Sequence, residues 1–523
     1  MPSLTIDGAS LDFRPGESII QVATENGIEI PYYCWHPKLS VAANCRMCLV
    51  EVEKSPKLVP ACQTPCADGM VVKTQSDKVK DTRRAVHEFL LVNHPIDCPI
   101  CDQAGECKLQ DYYMKFQLSE SPMRESKAHK ARLTQLGPHV IYNGERCVMC
   151  TRCVRFMEEI AKDRQLGGFA RGDQAYIGTF PGQALDNPYS LNVVDLCPVG
   201  ALTSAVFRFK QRVWYLSRHA SICPGCANGC NVHVDQRSGV VYRLLPRDNE
   251  AVNQCWLCDE GRLTYARANE GRLTEAMQRL AGQENAEMAT AGEALSRAVA
   301  LLKPVAEAKR GLGGALSLHA TCEEAYVFGR LVREVFGVTE VALLARGDGI
   351  ADKLLRVADK NPNRAGVIRV LTDLGLKAMD RHALEAQVAA GSVKAVLLVG
   401  HEVDDPEALA KIARQVDAVV HVAHASTPLA KGARVTLPSV PWVQLDGTWL
   451  NGYDRLQRLS PGFAPVGSAR PSHEWLSEIA SELGVALALP SVATIRLEME
   501  RTLTCFRDSR ISTVGPLGHS LAG

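Results

Sequence analysis

Four groups of residues in this 523-residue chain have the types and spacings of metal ligands. Cys34 is followed after ten residues by Cys45, after two more by Cys48 and after thirteen by Cys62. His94 precedes Cys98 by a three-residue gap, with Cys101 after two further residues and Cys107 after five. Cys147, Cys150 and Cys153 form a tight triplet, and a remote Cys197-Pro198 completes it. Cys223, Cys226 and Cys230 are completed in the same way by Cys258. Thiolate and imidazole at such spacings hold either zinc, which braces a fold, or iron–sulfur clusters, which move electrons one at a time.

Spacing separates these chemistries. Structural zinc sites usually split their ligands into two pairs, and Cys45-x2-Cys48 alone would make one such pair. Three thiols between 147 and 153 do not divide that way. A C-x2-C-x2-C triplet with a remote Cys-Pro is the arrangement of bacterial four-iron ferredoxins, so a [4Fe–4S] cluster is expected on Cys147, Cys150, Cys153 and Cys197. The first set resembles the C-x4-C-x2-C…C pattern of plant-type ferredoxins with a longer first gap, which predicts a [2Fe–2S] cluster on Cys34, Cys45, Cys48 and Cys62, with Cys66 a bystander. A lone histidine is more often structural than a ligand, but His94 stands beside Pro95 and three cysteines that lack a fourth partner. A cluster held by His94, Cys98, Cys101 and Cys107 would be one negative charge lighter, a term that favours reduction. Cys223, Cys226, Cys230 and Cys258 predict a further [4Fe–4S] cluster, with Cys255 the rival for the distal position. One two-iron and three four-iron clusters give a total of about 14 irons.

The distribution of cysteine divides the chain. Seventeen of 19 lie at or before Cys258, leaving Cys322 and Cys505 for the rest. The opening MPSLTIDGASLDF has neither the charged-then-apolar pattern of a secretion signal nor an Arg- and Ser-rich transit pattern, so the thiols are expected to stay reduced and to act as ligands rather than disulfides. No apolar run reaches the length of a membrane-spanning helix. A net charge of +1 gives no long-range attraction for nucleic acid or anionic lipid. The basic stretch from Phe207 to Arg218 is read as a solvated linker or subunit contact.

The elements that must position these ligands are partly legible. LTIDG and SLDF alternate as a hairpin around Asp7-Gly8, and Glu17 to Asn26 has one apolar helical face ended by Gly27. Asp81 to Asn93 reads as a helix that Pro95 stops before the second ligand set. Between Cys98 and Cys258 there is little periodicity, as expected where ligation replaces an apolar core. Beyond Gly261, helix candidates at Ala291–Leu302, Thr321–Phe336, Leu376–Ala390 and Asp405–Val416 alternate with strand candidates at Ala315–His319, Glu340–Leu344, Ala395–Gly400 and Ala418–Val422. That alternation predicts a parallel, doubly wound α/β sheet. Gly311-Leu312-Gly313 lacks the third glycine and following helix of a dinucleotide fingerprint and is read as a loop. Residues after about Thr513 are expected to be loose.

At IPYYCWHPKLSVAANCRMCLVEVEKSPK, NHPIDCPICDQAGECKLQD, RCVMCTRCVRF and DLCPVGALT the chain resembles the 75-kDa-type (G-type) iron–sulfur subunit family of respiratory NADH:quinone oxidoreductase (complex I). The resemblance covers about residues 1–260 with all four ligand groups in order. It implies the clusters called N1b on the Cys34 set, N5 on the His94 set and N4 on the Cys147 set. It also implies, on the Cys223 set, the N7 cluster that only some bacterial members keep. The implied fold is an α+β ferredoxin-like (β-grasp) domain with iron–sulfur domains, followed by an α/β molybdopterin-oxidoreductase-like domain without an active molybdenum site. Domains are expected at 1–80, 81–120, 121–215, 216–275 and 276–523.

The second half resembles molybdopterin oxidoreductases through the Cys223 group and VQLDGTWLNGYDRLQ. It departs from a working molybdenum enzyme at Glu260, where such enzymes usually place a lysine, and in having only Cys322 as a candidate molybdenum ligand before Cys505, so no molybdopterin is expected. The resemblance implies a translocase subunit that is inactive alone and has no catalytic acid, base or nucleophile. Electrons would come from the FMN-bearing flavoprotein subunit and leave through other peripheral-arm subunits towards quinone, on the cytoplasmic side of a bacterial inner membrane. The alternatives are a molybdenum-dependent formate dehydrogenase, a hydrogenase-associated subunit and a multi-zinc scaffold.

Overall fold

The computed structural model describes residues 1–116, 120–121, 123–283, 285–507 and 509–521. They form two compact units, residues 1–216 and 217–523.

The first unit begins with the predicted hairpin. Ser3–Ile6 pairs antiparallel with Ala9–Asp12, and Asp7 and Gly8 turn between them with φ of 49° and 89°, as a two-residue hairpin turn requires. Ser3–Ile6 then runs parallel to Val71–Lys73 in a five-stranded sheet that continues through Leu49–Val52 to Val59–Pro60. The helix Ile19–Glu25 starts with a Ser18/Gln21 capping box and packs Ile19, Ile20, Val22 and Ala23 against Leu4, Ile6, Val50 and Val72. The next helix spans Asp77–Val92, four residues earlier than the apolar pattern indicated. Its first turn has only Val79 buried, so periodicity does not reveal it. Further along, Leu202–Ser204, Val140–Tyr142 and Thr134–Gln135 form a small sheet, and the helix Arg152–Glu159 starts within the cysteine triplet.

The second unit contains a three-stranded antiparallel sheet (Ser217–Ile222, Asn231–Arg237, Val240–Pro246) and the expected doubly wound sheet. The order of its parallel strands is Val435–Pro438, Ala418–Ala423, Ala395–Val399, Leu312–Ser317, Glu340–Leu344 and Lys377–Asp380, and Ala276–Gln278 and Glu287–Ala289 extend one edge antiparallel. Side-chain alternation sends Leu316, Leu397 and Val420 into one core and Ala315, Val396 and Leu398 into another, so both faces are covered.

Three expectations change, and one helix appears that was not expected. Leu376–Ala390 is not one helix: Lys377–Asp380 pairs with Glu340–Leu344 as the edge strand, and the Asp380 side chain then caps the helix Arg381–Ala389. Arg364–Asp373 is a helix that the Asn361-Pro362-Asn363 run concealed. Gly311 turns at φ 85°, but Leu312 and Gly313 belong to a strand, and a Cβ at Gly313 would meet Leu384 Cδ1 at 2.6 Å. That glycine serves helix–sheet packing. Past Thr513, His519–Ser520 pairs with Arg455–Leu459; residues 522 and 523 lie outside the described residues.

Candidate metal centres

Cys34 and Cys45 lie on the loop between the helix Ile19–Glu25 and the strand that starts at Leu49, Cys48 precedes that strand, and Cys62 follows the strand Val59–Pro60. Their thiols interact in a row: Cys45 with Cys34, Cys34 with Cys62, and Cys62 with Cys48. Two neighbouring pairs, Cys34/Cys45 and Cys48/Cys62, are what two irons bridged by sulfide need. Cys66 lies beside this core and is not in the row.

Cys98 to Ile100 is a single 3-10 turn, and Cys107 precedes the helix Lys108–Phe116. The loop hangs on charged groups. Lys127 Nζ donates to His94 O at 2.7 Å, Arg212 donates to Cys101 O at 2.6 Å and also to Pro99 O, and Phe209 N donates to Asp102. The stretch read as linker or subunit contact is therefore, at Phe209 and Arg212, a clasp on the second ligand loop. Burial pushes the His94 imidazole down to about 4, which leaves it neutral and able to ligate.

Cys147, Cys150, Cys153 and Cys197 line a cavity of about 330 Å³, closed by Tyr142, Ile177 and Leu202. Cys223, Cys226, Cys230 and Cys258 line another of about 300 Å³. Cys258, not Cys255, faces this cavity. Burial pushes up the thiols of Cys153, Cys223 and Cys230, and those of Cys197 and Cys258 to about 12, so a metal bound there would have to displace their protons. Sulfur atoms also accept hydrogen bonds: Asn228 Nδ2 to Cys230 at 3.1 Å, Gly261 N to Cys258 at 3.3 Å and Gly225 N to Cys223 at 3.4 Å. Such bonds stabilise the added electron of a reduced cluster.

Tetrahedral zinc would hold its sulfurs about 3.8 Å apart. Among the described residues, no cysteine set brings three ligand atoms within 4.8 Å of one another.

Three residue groups escaped sequence reading. The Arg155 guanidinium donates to Cys34 O at 2.6 Å and to Cys150 O at 3.2 Å, joining the first and third sets, and Asn44 donates to Met149 O beside it. Arg146 pairs with Asp97 at 2.5 Å, and a Cβ on Gly200 would lie 2.3 Å from Cys101 Sγ, so the third set abuts the second. At the fourth set, the buried Lys360 Nζ lies 2.7 Å from Glu260 Oε2, so a cation from a distant loop is tied up by the carboxylate at position 260. Nothing in local spacing announces these contacts.

Family models match in four segments. Residues 2–77 match a 2Fe-2S iron-sulfur cluster binding domain, and 83–122 match the NADH-ubiquinone oxidoreductase-G iron-sulfur binding region. Residues 137–203 match the NADH-quinone oxidoreductase subunit 3 ferredoxin-like domain, and 220–266 the NDSU1/NuoG-like 4Fe-4S domain. This cysteine-bearing half is similar, segment by segment, to the G-type, 75-kDa-type subunits of NADH-quinone oxidoreductase.

Among curated relatives of the family, the G-type NADH-quinone oxidoreductase subunit of Rickettsia bellii is 43% identical over 54% of this chain and 41% of its own length. The mitochondrial 78 kDa NADH-ubiquinone oxidoreductase subunit of Neurospora crassa is 43% identical over 60% of this chain and 42% of its own. The chain thus aligns with about two fifths of the length of these relatives. A chain of an NAD+-reducing [NiFe]-hydrogenase shares 25% identity at a TM-score of 0.36, over 40% of this chain and 91% of that one, a likeness too low to define a shared fold. Among the described residues, no helix is long and apolar enough to cross a membrane.

Proposed function

We propose that this chain is an electron-transfer subunit of an NADH:quinone oxidoreductase, taking single electrons from an FMN-bearing flavoprotein subunit and delivering them to neighbouring peripheral-arm subunits on the way to quinone. The ligands are Cys34, Cys45, Cys48 and Cys62; His94, Cys98, Cys101 and Cys107; Cys147, Cys150, Cys153 and Cys197; and Cys223, Cys226, Cys230 and Cys258. When bound, the clusters accept and release one electron at a time, which bridges a two-electron hydride donor and a quinone. The chain's own residues set spacing, burial, charge and hydrogen bonding around each set.

The observation that carries this reading is the placement of the Cys147 set between the other two of the first unit. It meets the Cys34 set through a guanidinium shared by Cys34 and Cys150, and the Cys98 loop through Gly200 against Cys101. The first and second sets approach one another across aromatic rings: Tyr33 lies within electrostatic range of both Cys45 and Cys107, and Lys108 Nζ lies 3.9 Å over the Tyr32 ring. The shared guanidinium and the Gly200 contact support the order Cys34 set, Cys147 set, His94 set. Arg146, Arg152 and Arg155 add fixed positive charge beside ligand thiols.

The domains are 1–80, 81–120, 121–215, 216–275 and 276–523, the last a molybdopterin-oxidoreductase-like scaffold. Two contacts support a scaffold role: the candidate molybdenum ligand Cys322 is enclosed by Asn363 and Gly366, and Lys360 is engaged by Glu260. The complex sits peripherally at the cytoplasmic face of a bacterial inner membrane.

The test is an iron and zinc count on anaerobically purified chain with low-temperature electron paramagnetic resonance during graded reduction. About 14 irons with one two-iron and several four-iron signals are expected. His94→Cys should alter one four-iron signal alone. Zinc without reducible signals would overturn the reading, and bound pterin would favour a molybdenum enzyme.

A further inference from the structure

Within the doubly wound sheet the chain builds outward from Leu312–Ser317 through Glu340–Leu344 to Lys377–Asp380, then returns to the other side of Leu312–Ser317 at Ala395–Val399. The strand order reverses there, and such switch points leave a crevice at the carboxyl ends of the strands. Here the crevice is a partly open cleft of about 460 Å³, lined among others by Ser317, His319, Gly400, Glu402, His424 and Trp442. Three strand ends meet in it: Ser317 closes the first, Glu402 follows Val399 by three residues, and His424 follows Ala423; His401 stands beside it, next to Glu402.

His401, Glu402 and His424 bring one ring nitrogen each and a carboxylate oxygen within 4.8 Å of one another. His424 Nδ1 and Glu402 Oε1 are 3.8 Å apart, too far for a hydrogen bond and a few tenths of an ångström wider than the roughly 3.3–3.6 Å of two tetrahedral donors on one metal with bonds of about 2.0–2.2 Å. The two imidazole rings stand 4.5 Å apart at 56°.

The surroundings orient the donors. Ser317 Oγ donates to Glu402 Oε2 at 2.6 Å and His401 N–H donates to the same oxygen at 3.1 Å, leaving Oε1 towards His424. The ring of His421 holds Gly400 O at 3.0 Å, and Gly400 turns at φ 85° where a Cβ would lie 2.3 Å from that of Ser317. His319 Nε2 and His401 Nδ1 are buried nitrogens without a partner among the described residues.

We propose that His401, Glu402 and His424 bind a divalent first-row metal ion of the Zn2+ type at this cleft, with His319 beside its open face. Two imidazoles and a carboxylate with open positions are a familiar donor set for such ions. The site uses no cluster ligand and stands independently of the electron-transfer reading.

The test uses the full chain with its iron–sulfur clusters loaded, equilibrated with Zn2+ alone and then dialysed. One retained zinc per chain is expected, with a nitrogen and oxygen shell at about 2.0–2.1 Å and no sulfur at about 2.3 Å in its X-ray absorption spectrum. Glu402→Gln, His424→Ala and the half-exposed His401→Gln should each lose this zinc at an unchanged iron count, and Ser317→Ala should weaken it about tenfold. No retained zinc, or sulfur in its shell, overturns the proposal, as does retention of zinc by the folded His401→Gln variant. Loss of the iron signals with zinc still held would count against the electron-transfer reading alone.

Discussion

In the second unit the strand Ala395–Val399 is buried at every residue, with Val396 and Leu398 on one face and Leu397 and Val399 on the other. In the first unit the loops around the cysteines carry few such residues, and Ile96 and Ile100 are exposed. Those loops are pinned by Arg152, Arg155, Arg212 and Lys127 donating to backbone carbonyls. The contrast teaches where stability comes from. A sheet covered on both sides folds on apolar burial, whereas loops that converge on thiols need the metal to hold them together.

Removing iron by chelation under oxidising conditions should give the largest effect. Hydrogen exchange is expected to rise sharply around residues 94–107 and 147–153 and to stay slow across residues 312–438, and equal loss in both units would break the comparison. Leu397→Ala, in a fully buried strand position, should cost the second unit about 2–5 kcal/mol in denaturant unfolding while the iron content of the first unit is unchanged. Arg155→Ala removes charge-assisted bonds to Cys34 O and Cys150 O. It should destabilise the first unit by about 2–3 kcal/mol and shift the resonance signals of the two clusters it joins, leaving the fourth set untouched.

The smallest effect concerns pH. Burial opposes ionisation of Asp235, but Arg218 and Arg243 outweigh it and hold the carboxyl below its usual range. Its contribution is full above the unfolded carboxylate value of about 3.9 and is lost as pH falls through the lower folded value. The second unit's unfolding midpoint should drop from pH 5 to pH 3, and less so in Asp235→Asn.

The elements best read in advance were those whose cause is local. Glu340–Leu344 is a short apolar run with no competing helical face, and Asp7-Gly8 has the residues its turn demands. Lys377–Asp380 was absorbed into a helix because its strand character comes from pairing with Glu340–Leu344. His519–Ser520 became ordered through the same kind of distant pairing, with Arg455–Leu459.

For the metal sets the same division holds. Cys147, Cys150 and Cys153 sit within one short loop, so chain geometry alone makes their spacing informative, and the family models match all four segments. The sequence by itself determined which residues have ligand chemistry, how they group and that an α/β sheet follows. Only the tertiary structure decided that Arg155 spans two sets, that Lys360 meets Glu260, and that His401 joins Glu402 and His424 at a cleft lined by Ser317. Those contacts join segments far apart in the chain, and the order of strands and packing of loops that bring them together leave no trace in local spacing.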